Sequence, residues 1–249
     1  MSRPRGALLV GSVPLSSAEE VFRLAGETLG DHLRRIPDGE TGDRSGWVAW
    51  QGRNFKLPQF ELVKPVPGQY PPTPRFRPKE GVDLADVEFG DLGYAASALD
   101  SYAVFERLKR EGALPERARF QVSIPTPLAP VAMYVVDEAQ AAVEPHYEAR
   151  MMDELRWILD GIPHSELAIQ WDVCVEVWMW ERWLPAPFDD VEAGIAERVA
   201  RVSDAVPEDV ELGWHLCYGD FQHEHFHQPE DACVSVDMAN ALDAATARR

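Results

Sequence analysis

Leu167-Ala168-Ile169-Gln170-Trp171-Asp172-Val173-Cys174-Val175 is the stretch on which the fold turns. It is an almost continuous apolar run, without the strict in-and-out alternation of a half-solvated strand. Such a run predicts a strand covered on both faces, as in a parallel sheet. A carboxylate inside it, Asp172, is costly unless it is paired or belongs to a ligand site. Pairing with Arg44 or Arg182 is the structural alternative.

Moving outward, amphipathic segments at 137–161 and 189–204 flank this strand and predict helices. Further strands are expected at Arg119 to Ile124 and Glu211 to Cys217, with helices at 92–111 and 229–247. Towards the N-terminus, Ala7 to Val10 reads as a buried strand ending in the turn Gly11-Ser12-Val13-Pro14. Ser16 or Ser17 is placed to cap the next helix, with Glu19 and Glu20 in its first turn. Leu33 to Ile36 is a weaker strand, followed by a short helix at 43–51. Residues 52–90 are proline-rich, with Phe60 to Lys64 as their one convincing strand, and read as an insertion.

Strands separated by helices of ten or more residues predict an α/β chain of parallel βα units. Polar residues crowd the expected C-terminal ends of several strands: Ser12, Glu40, Ser123, Asp172, Glu176, His215 and Cys217. In a TIM-type (β/α)8 barrel those ends meet at one mouth. The expectation is therefore one barrel domain over residues 1–249, incomplete, with about six βα units and without the last two strands. A partial barrel leaves an open edge, which predicts self-association.

Composition narrows the partners. With 42 acidic against 24 basic residues, the formal net charge is −18. That excludes a general nucleic-acid surface or an anionic membrane surface, which require clustered Lys and Arg. No run approaches the roughly 18 apolar residues of a membrane span. Three cysteines make no disulfide framework, so a cytoplasmic protein acting on a small molecule is expected.

His215-Leu216-Cys217 is the sharpest chemical motif. Residues two apart on a strand share a face, so imidazole and thiolate can reach one ion, and that donor pair suits zinc. Two donors fall short of a site, and Cys217 as a small buried hydrophobe is the plain alternative. His223 and His227 form a further histidine pair without the spacing of a zinc-protease helix. Trp171, Trp178, Trp180 and Trp183 suit either ring stacking or core packing. No phosphate-loop or GxSxG pattern occurs.

Four segments, in chain order, resemble the catalytic barrel of cobalamin-independent methionine synthase, within the superfamily that includes uroporphyrinogen decarboxylase. They are Gly11-Ser12-Val13-Pro14, the segment Gly39-Glu40-Thr41-Gly42-Asp43-Arg44, Ile169-Gln170-Trp171-Asp172, and His215-Leu216-Cys217-Tyr218-Gly219-Asp220-Phe221. The resemblance implies a zinc-dependent methyltransferase acting on a thiol such as homocysteine. It implies Ser12, Glu40 and Asp172 as substrate-binding residues, Asp172 also as catalytic, and His215 and Cys217 as zinc ligands.

The departures are specific. The family continues Asp-Glu-Pro where this chain has Asp172-Val173-Cys174, and its other two zinc ligands, a Glu and a Cys, have no counterpart here. Cys233, in an expected helix, is a poor substitute. A metal-independent decarboxylase or lyase, with Arg44 holding a carboxylate, and a catalytically degenerate small-molecule-binding barrel are the rival expectations.

Overall fold

The computed structural model describes residues 6–65, 72–219, 224–225 and 227–247. Its strands are β1 (Arg35–Pro37), β2 (Phe60–Val63), β3 (Arg75–Pro78), β4 (Arg119–Pro125), β5 (Leu167–Val173) and β6 (Glu211–Leu216). Its α-helices are α1 (Ala18–Leu29), α2 (Trp47–Gln51), α3 (Tyr94–Arg110), α4 (Leu128–Tyr134), α5 (Asp137–Gly161), α6 (Val175–Trp180), α7 (Val191–Asp204) and α8 (Cys233–Ala245). The architecture is mixed α/β. Four strands form one parallel sheet in the order β1-β4-β5-β6.

Local chemistry explains the element ends. The Ser17 side chain accepts from the Glu20 amide at the start of α1, and Glu19 and Glu20 occupy its first turn. A cap of this kind contributes about 1 kcal/mol. Leu167, Ile169, Trp171 and Val173 on β5 are fully buried on one face, as are Phe120 and Ile124 on β4. This apolar face meets the helices. The opposite face is polar, and alternation along each strand creates the contrast.

The polar face is graded from end to end. At the N-terminal ends of the strands, Glu211 lies 3.7 Å from Arg35 and 3.8 Å from Arg119. Gln121, Ser123 and Gln170 fill the middle, and Asp172 pairs in register with His215 at the C-terminal end. Arg35 and Gly213 stand on strands at opposite edges of the sheet, yet a Cβ on Gly213 would lie 2.9 Å from the Arg35 guanidinium. A flat sheet would separate those strands by about 14 Å, so this sheet curls towards its polar face. Gly213 leaves the space that the arginine uses.

Several expectations need correction. Ala7 to Val10 forms only an isolated bridge, Ala7 to Leu33, and Leu8 and Val10 are 56% and 45% exposed. Side chains replace the missing ladder: Gln121 Nε2 donates to the Leu9 and Val10 carbonyls, and Gln170 Nε2 donates to Val10. The strand at 60–63 stays out of the main sheet and pairs antiparallel with β3. Four strands, rather than six, thus share the parallel sheet among the described residues. β5 ends two residues early, because α6 begins at Val175, and this moves Glu176 from a strand end into a helix. The helices at 94–110, 137–161, 191–204 and 233–245 match expectation closely. Among the described residues no helix is long and apolar enough to cross a membrane.

Candidate functional site

Glu40 organises one side of the site. It follows Gly39 (φ 82°) and itself adopts a left-handed backbone at φ 51°. Its amide donates to Asp38 Oδ1 at 3.0 Å, and its carboxylate accepts the Ser12 hydroxyl. A Cβ on Gly11 would lie 2.7 Å from Glu40 Oε1, so the glycine turn gives this carboxylate its room. Burial pushes the Glu40 carboxyl up to about 7; the Ser12 hydrogen bond opposes this, and the charges of Asp172 and Asp38 add to it.

Asp38 is a structural hub. It accepts from Arg44 and, at 2.7 Å, from the Ser101 hydroxyl, besides the Glu40 amide. Arg44 is therefore committed to Asp38, and Arg182 pairs with Glu192. Neither is an ion-pair partner of Asp172. Asp172 instead accepts from Gln170 Nε2 at 3.0 Å and contacts His215 Nδ1 at 3.2 Å.

His215 and Cys217 stand side by side. The imidazole is pushed up to about 10, first by the Asp172 hydrogen bond and then by that with Cys217. Cys217 is drawn down towards the thiolate, first by a hydrogen bond from the Cys174 thiol, then by His215 and the Gly219 amide, which lies 3.2 Å from the sulfur. Cys174 is held up as the thiol partner of this pair. These shifts favour an imidazolium beside a thiolate, with the Asp172 carboxylate on Nδ1 of the ring.

Ser12, Glu40, Asp172, His215 and Cys217 thus come together in one network at the C-terminal ends of the parallel strands. Cys174 joins them, a residue that motif reasoning passed over. The signal was available: Asp172 faces His215 across two strands, so the residues two positions on, Cys174 and Cys217, are also opposite each other. Glu176 sits nearby, fully buried on α6. Its carboxyl is pushed up to about 7 by burial, accepts the Thr126 hydroxyl, and has one oxygen without a partner among the described residues.

The tryptophans divide by role. Trp171 and Trp178 are core residues, and Trp178 donates to the Tyr218 carbonyl at 2.8 Å. Trp183 packs on Tyr218 and His227 beyond the end of β6. His223 lies outside the described residues. The cleft behind Glu40, lined by Asp38, Arg44, Trp47 and Tyr94, has room for about one water. Ser12 itself is exposed.

The donor chemistry fits a thiophilic ion in one respect. A carboxylate on one imidazole nitrogen is the usual support for a histidine that binds metal through the other. His215 and Cys217 are the donors that would hold zinc. Among the described residues no group of three His, Cys, Asp or Glu is gathered as a metal set. No protein family, curated protein or solved structure matches this chain.

Proposed function

We propose that this chain is a curved, barrel-type α/β enzyme that transfers a methyl group to the sulfur of a small amino-acid thiol such as homocysteine. The observation that carries this reading is the meeting of two half-sites at Asp172: a hydroxyl–carboxylate side, Ser12–Glu40, which feels its charge, and an imidazole–sulfur side, His215–Cys217, which it contacts at His215 Nδ1. The curl of the sheet that brings Arg35 over Gly213 supports the barrel.

In this reading Glu40 and Asp172 hold the substrate ammonium, and Ser12 turns its one hydroxyl proton from Glu40 to the substrate carboxylate. Asp172 also keeps His215 oriented through its Nδ1. Zinc, when bound at His215 and Cys217, would stabilise the substrate sulfur as a thiolate and so make it nucleophilic at neutral pH. The bound thiol is itself a further sulfur donor beside that incomplete pair. The commitment of Arg44 to Asp38 weighs against the rival decarboxylase, which needs a free cation there.

The test is direct. Protein purified without chelator is analysed for zinc, then incubated with homocysteine and a methylated folate, and methionine is quantified. Zinc-dependent methionine formation that disappears in His215→Ala is the expected result. Absence of zinc together with full turnover in His215→Ala would overturn the reading.

A further inference from the structure

Cys174 has no place in the proposed methyl transfer, yet it stands at the end of β5, beside the end of β6 that carries Cys217. Val173 on β5 and Leu216 on β6 are the last pair in register, so Cys174 and Cys217 are the residues that follow where the two neighbouring strands end. The Cys217 amide donates to the Val173 carbonyl at 3.1 Å, which holds the two strand ends together at this point. Adjacent strands run about 4.8 Å apart, inside the roughly 4.4–6.8 Å Cα separation that a disulfide needs. The two side chains point the same way, since the Cys174 thiol is hydrogen-bonded to the Cys217 sulfur. Both cysteines are free and only half-buried, so a small oxidant can reach them. Cys233 is exposed at the start of α8.

We propose that Cys174 and Cys217 form a dithiol–disulfide couple, oxidised by a hydroperoxide and restored by a small thiol. The Cys217 sulfur attacks the terminal oxygen of the peroxide and the O–O bond breaks. The alkoxide or hydroxide that leaves takes up a proton, and Cys217 becomes a sulfenic acid. The Cys174 sulfur then attacks Cys217 and displaces hydroxide, which takes the Cys174 proton and departs as water. Two thiols lose two electrons, and the hydroperoxide is reduced to an alcohol and water. Two equivalents of an external thiol reverse the bond and leave as their own disulfide. The couple needs no metal and stands apart from the methyl-transfer reading. While it is oxidised, Cys217 cannot act as a thiolate or a ligand.

The experiment uses the full chain, stripped of metal, treated with one equivalent of hydrogen peroxide. Thiols are counted in denaturant, and the disulfide is located by peptide mass mapping. Of the three cysteines, two are expected to disappear together and return with dithiothreitol. A Cys174–Cys217 linked peptide should appear in monomeric protein. Cys233→Ser should lose the same two thiols. Cys174→Ser should stop at a sulfenic acid on Cys217 that a cyclic dione traps. Persistence of three thiols, a bridge through Cys233, or an equally oxidised disulfide in Cys174→Ser would each overturn the proposal. Circular dichroism of each variant separates misfolding from chemistry. If Cys174→Ser fails to fold, the linked peptide from the wild-type chain and from Cys233→Ser decides.

Discussion

Ser12 donates its hydroxyl to Glu40, and the backbone beneath that carboxylate is left-handed at φ 51°. A non-glycine residue in this region costs of order 1 kcal/mol or more and survives only where its surroundings fix it. Here they do so from three sides. Asp38 takes the Glu40 amide, Gly11 makes room for the carboxylate, and Ser12 closes over it. This strained residue is the one whose carboxyl feels the charge of Asp172.

The protonation of Glu40 and Glu176 gives stability a definite pH dependence. Both are pushed from the ordinary 4.5 up to about 7 by burial. The native state therefore keeps protons that the unfolded chain releases. Their stabilising effect is fully present below pH 4.5, is lost as pH rises through 7, and changes no further above that. Glu40→Gln should remove its share, so that the variant gains on the wild type between pH 4.5 and 7 by at most about 3 kcal/mol. Urea unfolding at a series of pH values measures this. Parallel wild-type and variant curves would contradict the burial argument.

The Arg44–Asp38 pair should matter more to stability than a surface pair. Both side chains are largely buried, and Asp38 also anchors Ser101 and the Glu40 amide. Arg44→Met leaves a buried carboxylate uncompensated, and a loss of about 3–5 kcal/mol is expected. Adding Asp38→Asn in the same chain should recover part of it. Chemical denaturation of the two single variants and the double variant gives the coupling, and strict additivity would show that the pair is not a unit.

Gln121 and Gln170 hold the N-terminal segment to the sheet in place of a strand ladder. Gln170→Leu keeps the apolar bulk but strips the Val10 carbonyl and Asp172 of a donor. The cost should be about 1–3 kcal/mol, with amide exchange of residues 7–13 rising more than that of β4. Uniform exchange changes across the chain would indicate a general loss of packing instead.

These glutamines also show where sequence reasoning ran out. β5 was legible because Leu167, Ile169, Trp171 and Val173 form one apolar face without a gap. The long helices were legible from their periodicity and, for α1, from the Ser17 cap. Ala7 to Val10 misled because its hydrophobicity was read as burial, whereas its carbonyls are satisfied by side chains that no local pattern reveals. Pro74 and Pro78 hid β3, since proline argues against a strand, yet a two-stranded hairpin has edges that tolerate it. At the site, Ser12, Glu40, Asp172, His215 and Cys217 could be singled out because polar residues crowd the expected ends of strands there. Cys174 required the register between β5 and β6, which is a tertiary fact.

Asp172 offers the sharpest test of how the two half-sites work together. It contacts His215 Nδ1 and accepts from Gln170, while its charge is felt by Glu40. Asp172→Asn keeps the size and removes the charge, so it should loosen an ammonium-bearing thiol by about tenfold to a hundredfold, the worth of a charged hydrogen bond of roughly 1.5–3 kcal/mol. The desamino analogue of homocysteine has no ammonium to lose and should bind both proteins alike. Calorimetric titration of the two ligands against wild type and variant gives four affinities and one coupling. Should the desamino thiol weaken as much as the amino acid, Asp172 would act only through the orientation of His215. The ammonium would then rest on Glu40 alone, and Glu40→Gln should abolish the preference for the amino acid.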